Sequence, residues 1–180
     1  MDLFGQRYHK LLRDGPKTVA DWFFFLPLAG CALIYGALGR TRESLYRRGV
    51  LETYNPPVPT ISVGNLAAGG TGKTPVVDHI ARILTEAGKK VAVVSRGYGR
   101  KRIHIDRVVS RGKGPEISPE LAGDEPYLLA RRNPSLVVIV ARQRRLGIEK
   151  AVTRFGVEAV VLDDGFQHLS VARHLDLVLL

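Results

Sequence analysis

Cysteine is almost absent from this chain, with Cys31 its single example. A lone thiol inside an apolar run excludes an intrachain disulfide framework and a cysteine-based zinc site, so a reducing cytoplasm is the natural compartment. Acidic side chains are also scarce. Asp and Glu number 17 against 27 Lys and Arg, a formal charge of +10, and the surface therefore favours anionic partners such as phosphates, acidic lipids or nucleic acid. Sign alone does not choose among them, but interleaved basic and aromatic residues and any recognisable base-reading motif are missing, which argues against a nucleic-acid-binding module. His9, His79, His104 and His174 show no spacing suited to a metal site, and His168 suits a structural hydrogen bond as readily as a functional one. No fixed-period repeat or long low-complexity tract is present, so the chain reads as consecutive, distinct segments. Oligomeric state leaves no signature. A length of 180 residues with 45% hydrophobic content is enough for one domain with an appendage and excludes a disordered tail.

The first segment is apolar. Trp22 to Gly39 is a run of 18 residues without a charge, about the length at which a membrane helix becomes a candidate. His9, Lys10, Arg13 and Lys17 precede it, Arg40, Arg42, Arg47 and Arg48 follow it, and Trp22 and Tyr35 suit an interface. A secretory signal is disfavoured, because the run begins only at Trp22 and no small-residue cleavage site follows. A buried core helix and a full span remain alternatives. Pro27 and the nearby glycines favour a kinked or shallowly inserted segment, peripheral or monotopic at an anionic membrane surface. Pro56, Pro57 and Pro59 mark a linker, so the expected division is a membrane-associated segment over residues 1–57 and a core over 58–180.

From Val58 onward, short β-branched runs alternate with helical stretches. The expected strands are Thr60 to Val63, Val91 to Val94, Val108 to Ser110, Leu136 to Val140, Ala159 to Leu162 and Leu175 to Leu180. The expected helices, Thr74 to Ala87 and Arg142 to Phe155, end near Gly88 and Gly156, residues suited to a C-terminal cap. The pattern predicts an α/β fold with a mostly parallel sheet flanked by helices, and the Gly72-Lys73-Thr74 segment after its first strand makes it P-loop NTPase-like.

The strand ending at Val63 runs into Gly64-Asn65-Leu66-Ala67-Ala68-Gly69-Gly70-Thr71-Gly72-Lys73-Thr74. Backbone N–H groups of Ala67, Ala68, Gly69, Gly70, Thr71 and Gly72 can surround phosphate oxygens, helped by the field at the start of the following helix. Lys73 supplies a point charge to the β- and γ-phosphates, and the Thr74 hydroxyl suits magnesium. Ala67 stands where the strict GxxxxGK[ST] pattern has its first glycine. The competing reading, an ordinary glycine-rich turn, does not require the strand before it or the Gly-Lys-Thr and amphipathic helix after it. A second apolar strand ends in Asp163-Asp164-Gly165-Phe166-Gln167-His168, and carboxylates there lie at the edge where open α/β sheets place ligands. They suit magnesium or its water shell, the alternative being a solvated turn.

These segments resemble the tetraacyldisaccharide 4'-kinase (lipid A 4'-kinase) family. The likeness rests on Ser62-Val63-Gly64-Asn65-Leu66 through Gly69-Gly70-Thr71-Gly72-Lys73-Thr74-Pro75, on Ser95-Arg96-Gly97-Tyr98-Gly99, on Gly123-Asp124-Glu125-Pro126 and on Asp163-Asp164-Gly165-Phe166-Gln167-His168. The family also resembles this chain in its apolar, basic N-terminal region and in its version of the phosphate loop. The resemblance implies transfer of the γ-phosphoryl group of ATP to the 4'-hydroxyl of an acylated glucosamine disaccharide 1-phosphate lipid, giving lipid IVA at the cytoplasmic face of the bacterial inner membrane.

By the same resemblance, Lys73 and Thr74 hold phosphate and Mg2+, Asp163 and Asp164 form the acidic strand end, Asp124 helps activate the sugar hydroxyl, and Glu125 joins the magnesium set. Without it, Gly-Asp-Glu-Pro is only a helix start with Asp124 as N-cap. Arg96 and Tyr98 are candidates for substrate contact. Arg100, Lys101 and Arg102 form either part of that contact or a solvated basic loop. Members of the family are longer, and the last residues read as a strand cut at its end, so the chain is expected to be the N-terminal half of such a kinase. A membrane-attached P-loop ATPase or switch, or an inactive fragment that only binds nucleotide, is the alternative.

Overall fold

The computed structural model describes residues 15, 17–66, 72–97, 100, 105–166 and 168–180. The chain divides into two compact units, Met1–Leu51 and Glu52–Leu180.

The described part of the first unit contains one helix, α1 (Val19–Arg47), of 29 residues. A capping box starts it. The Thr18 hydroxyl accepts from Asp21 N at 3.2 Å and the Asp21 carboxylate accepts from Thr18 N at 3.0 Å, satisfying two of the N–H groups that a helix start leaves unpaired. The helix runs through Pro27, although proline withholds one backbone donor. Its end is closed by Gly49, whose φ of 70° lets its N–H turn back to Tyr46 O. Leu33 and Tyr35 are 69% and 81% exposed, so among the described residues this part of the helix surface is largely uncovered. The stretch Asp21–Arg47 is long and apolar enough to cross a membrane.

The second unit contains β1 (Thr60–Asn65), α2 (Lys73–Glu86), β2 (Val91–Ser95), β3 (Arg107–Arg111), α3 (Pro119–Ala122), α4 (Asp124–Arg132), β4 (Val137–Val140), α5 (Arg144–Phe155), β5 (Ala159–Asp163) and β6 (Leu175–Leu179). Among the described residues the strands form one sheet in the order β3-β4-β2-β5-β1-β6. All neighbours are parallel except the edge pair β3 and β4.

The central strands are continuous apolar runs because both faces are covered. Val91 and Val93 belong to a core packed with Val77 and Ala81 of α2 and Leu129 of α4, while Ala92 and Val94 face Ile148 and Ala151 of α5. Residues along β4 and β5 alternate between the same two cores, with Val138, Val140 and Val161 on one side and Val137, Ile139, Val160 and Leu162 on the other.

Tyr54 forms a parallel bridge to Val171, with Tyr54 N on Ser170 O at 2.9 Å and Ala172 N on Tyr54 O at 2.8 Å, which ties the start of the second unit to its core. One local outcome differs from the expectations. The helix expected from Arg142 begins at Arg144, since Gln143 is its extended N-cap and Arg142 N is taken by Asp106 at 2.8 Å.

Gly147 gives the contact between α5 and the sheet its closeness: a Cβ there would lie 2.6 Å from Val94 Cγ1 and 3.1 Å from the Ala141 Cβ. Alanine would gain about 1 kcal/mol of helix propensity, but overpacking a core costs about 1–3 kcal/mol. Gly147→Ala should therefore lower stability in urea denaturation, and a raised midpoint would show that the helix can shift away freely.

Candidate functional site

The carboxyl ends of β1, β2 and β5 meet at one edge. Parallel pairing sets Val63 opposite Asp163, so the loops that follow both strands leave on the same side of the sheet. The Asp163-Asp164-Gly165-Phe166 turn folds back over β1, with Gly165 N on Val63 O at 3.2 Å. Both glycines here are demanded by contact. A Cβ on Gly165 would lie 2.7 Å from Leu162 Cβ and 2.8 Å from Ser62 Oγ, and one on Gly64 would lie 3.2 Å from Phe166 N. Asp164 has φ 55°, the left-handed region that non-glycine residues seldom occupy.

Lys73 opens α2 after Gly72, whose φ of 74° also requires a glycine-like backbone. Its ammonium group lies 2.9 Å from Asn65 Oδ1 and 3.1 Å from Asp164 Oδ1. Asp164 is 65% exposed, so this ion pair contributes little to stability. Its meaning is positional, since it places the ammonium between the two strand ends.

Asp163 is 2% exposed. Ser95 Oγ donates to its Oδ2 at 2.9 Å, but among the described residues its Oδ1 has no hydrogen-bond partner. Burial holds its carboxyl above the usual carboxylate range, against the lowering effects of the Ser95 bond, Arg144 and Lys73. Arg144, 3% exposed, spends its guanidinium on backbone, donating to Ala141 O at 3.1 Å and to Asp163 O at 2.9 Å. Burial pulls its pKa down to about 10 despite the attraction of Asp163 and Asp164. Glu125 is exposed as a residue, yet its carboxyl end is sufficiently withdrawn from water, and close enough to Asp163, to be raised. Lys73 and a hydrogen bond with the Thr74 side chain pull it the other way.

The Gly123-Asp124-Glu125 corner reaches this edge through Gly97. With φ 67°, Gly97 would place a Cβ 3.0 Å from Ala122 O and 2.7 Å from Arg100 Cδ, so the loop after β2 lies against the start of α4. Asp124 is exposed at the first helical position. Gly123, not Asp124, is the N-cap, because its φ of 89° and ψ of 151° turn the chain into the helix without help from a side chain.

Thus Lys73, Thr74, Glu125, Asp163 and Asp164 share one edge, while Arg96 is exposed at the end of β2 and acts on the Arg144 charge. Ala67, Ala68, Gly69, Gly70, Thr71 and Tyr98 lie outside the described residues, as do Lys101, Arg102 and Gln167. Arg100 is not part of a solvated basic loop. It is 3% exposed and donates to Ile105 O at 2.6 Å. Among the described residues, no three His, Cys, Asp or Glu side chains converge as a self-sufficient metal site.

Asn65, Ser95 and Arg144 contribute to this edge although no local sequence pattern singles them out. Arg144 alone carries a signal: a cation at the first position of a helix opposes the helix field, and such a residue needs another reason to be there.

The family model of tetraacyldisaccharide-1-P 4'-kinase matches residues 24–180. The chain belongs to this family. It is 51% identical over 173 residues to the tetraacyldisaccharide 4'-kinase of Syntrophotalea carbinolica, covering 96% of this chain and 48% of that protein. The enzyme of the same name from Desulfotalea psychrophila is 49% identical over 146 residues, covering 81% and 42%. The chain therefore spans about half the length of the curated relatives it matches. A crystal structure of the "apo" form of LpxK from Aquifex aeolicus, in complex with ATP, superposes with a TM-score of 0.78 at 40% identity, covering 86% of this chain and 48% of that one. Family and fold agree.

The strained charge of Asp163 makes a pH prediction. A carboxyl raised in the folded state binds its proton more tightly there, so its contribution is complete below the ordinary aspartate pKa of about 3.9 and is lost as pH rises through the folded value. Asp163→Asn keeps an acceptor for Ser95 without the charge. Its stability relative to the parent, in ligand-free protein, should grow as pH is raised from about 4 to 7. Parallel stability curves would show that Asp163 carries no such penalty.

Proposed function

We propose that this chain is the ATP-binding half of a kinase that transfers the γ-phosphoryl group of ATP to the 4'-hydroxyl of a tetraacylated glucosamine disaccharide 1-phosphate, giving lipid IVA. The observation that carries the reading is the Lys73 ammonium, held at the sheet edge by Asn65 and Asp164 at the head of α2. Family membership supplies the acceptor, and the ATP complex of the Aquifex aeolicus protein supplies the donor nucleotide.

Magnesium fits the residues present. The unpartnered, buried Oδ1 of Asp163 needs a cation or its water, and Thr74, Glu125 and Asp164 add oxygen donors of the hard type that Mg2+ prefers. Because Mg2+ keeps several waters and binds substrate phosphates, the lack of three converging acidic side chains among the described residues is no obstacle. When bound, it neutralises charge that develops on the transferring phosphates. Lys73 exchanges Asp164 for phosphate oxygen and holds the γ-phosphoryl in line. Ala67, Ala68, Gly69, Gly70, Thr71 and Gly72 supply the N–H cradle. Asp124, exposed at the start of α4, accepts the proton as the 4'-oxygen bonds to the γ-phosphorus. The bond to the bridging β,γ-oxygen breaks and ADP leaves. Arg96 and Tyr98 contact the anionic acceptor.

The acceptor resides in a bilayer and ATP in water, which accounts for an apolar helix joined to a nucleotide core. The exposed apolar residues of α1, with Arg40, Arg42, Arg47 and Arg48 towards its end, suit attachment to the anionic cytoplasmic face of the bacterial inner membrane, peripheral or monotopic. A membrane-attached ATPase is separated from this reading by product: it releases inorganic phosphate and leaves the glycolipid unmodified.

In the full-length protein, Asp124→Asn should fold normally, since Gly123 is the cap, and should bind ATP while phosphorylating the lipid at least about a hundredfold more slowly. Near-parental lipid phosphorylation would remove Asp124 from the chemistry. Lys73→Ala should abolish most transfer for a different reason, loss of the charge on the transferring group. Deleting residues 1–51 should move the protein from the membrane pellet to the soluble fraction while keeping Tyr54 in the core. A folded deletion variant that still pellets would place attachment elsewhere.

A further inference from the structure

Between β5 and β6 the chain carries the acidic turn and then doubles back. The carbonyl groups of Gly165, Phe166 and His168 converge on one point, and the guanidinium of Arg173 occupies it. Its Nη1 lies 3.4, 3.3 and 3.1 Å from the three oxygens. Two hydrogens on that nitrogen serve three acceptors, so the arrangement is a cation seated among converging dipoles, with His168 O as its best partner. The other side of the guanidinium is anchored: Nε lies 3.1 Å from Asp176 Oδ1, with side-chain exposures of 13% for Arg173 and 33% for Asp176. Asp176 belongs to β6, where it pairs in register with Ser62 of β1. Ser62 is also the residue whose Oγ closes off the space beside Gly165. Arg173 therefore joins both ends of the loop to the same pair of strands.

Three carbonyl dipoles aimed at one point repel one another unless a positive group lies there. The turn they belong to also holds Asp164 at its left-handed φ of 55°, a conformation that persists only when its surroundings enforce it. We infer that Arg173 is a positioning residue for phosphoryl transfer: by gathering the carbonyls of Gly165, Phe166 and His168 against Asp176, it holds the Asp164 turn where that carboxylate meets Lys73. The inference rests on the kinase reading for its effect on turnover, and on geometry alone for its effect on the loop. No substrate contact is required of Arg173.

The test uses the full-length protein with Arg173→Met, Arg173→Lys and Asp176→Asn. Hydrogen exchange is followed in peptides covering the 164–171 loop and, as an internal standard, β2. Binding of a fluorescent ATP analogue is titrated with Mg2+, and lipid phosphorylation is measured at varied acceptor concentration. Arg173→Met should speed exchange of the loop at least about tenfold while β2 stays protected, as expected of local rather than global opening. It should also cut turnover, or weaken the Mg2+ dependence of nucleotide binding, by about tenfold or more, with the acceptor KM unchanged, the scale set by groups that orient ligand-bearing residues. Arg173→Lys should recover part of both losses by restoring the charge, and Asp176→Asn should fall between parent and Arg173→Met.

A folded Arg173→Met protein with parental loop exchange and turnover overturns the inference. So does a loss in which β2 exchanges as fast as the loop, because Arg173 then supports the whole fold. If Arg173→Met does not fold, Asp176→Asn decides, and unchanged loop exchange in that variant overturns the proposal. Should the parent protein phosphorylate no lipid, the kinase reading fails, while loop exchange and Mg2+-dependent nucleotide binding still judge Arg173.

Discussion

Lys73 and Asp164 are 91 residues apart in the chain, yet 3.1 Å apart in space. The parallel register of β1 and β5 makes this possible. It sets Val63 against Asp163, so that the loops after both strands leave the sheet side by side. Shifting the pairing by one residue would send the alternating side chains of β5 to the opposite faces, moving Val161 out of one core and Leu162 out of the other. Packing on both faces thus enforces the register, and the register places the charges. Gly64 and Gly165 then permit the acidic turn to close onto β1, where any side chain would meet Phe166, Leu162 or Ser62.

The electrostatics of this edge favour chemistry over stability. Asp163 is buried with one oxygen unpartnered among the described residues, and the buried Arg144 donates to the backbone carbonyls of Ala141 and Asp163 rather than to the carboxylate. The carboxylate therefore sits in a setting where water cannot fully screen its charge, and burial raises its pKa. Glu125 is raised first by burial and then by the nearby charge of Asp163. Lys73, tied to exposed Asp164, is by contrast held weakly enough to change partners.

The helix α1 and the sheet core use apolar residues in opposite ways. In the core, Val91 to Val94 are buried on both faces by the helices of the same unit, whereas Leu33 and Tyr35 stay exposed among the described residues of theirs. Hydrophobicity alone does not separate these outcomes. The β-branched, short runs of the core are interrupted by turns and helices that can cover them, while the α1 run is one uninterrupted helix with basic residues at its end.

Local chemistry in the sequence by itself determined the alternation of strands and helices, the glycine-rich approach to Lys73 and Thr74, the acidic end of β5, the glycine-terminated helices and, through four ordered motifs, the family. Each depends on residues a few positions apart, where backbone preferences and side-chain spacing act directly. Only the tertiary structure decided which strands are neighbours, that β3 runs antiparallel at the edge, that Gly123 rather than Asp124 caps α4, and that Arg100 is buried on Ile105 O. It also gave Asn65, Ser95, Arg144 and Arg173 their partners, and it drew Tyr54 into the core beside Val171. These outcomes depend on burial and on contacts between distant parts of the chain. A charged side chain reads the same in sequence whether water or a converging set of carbonyls surrounds it, and only the folded packing determines which.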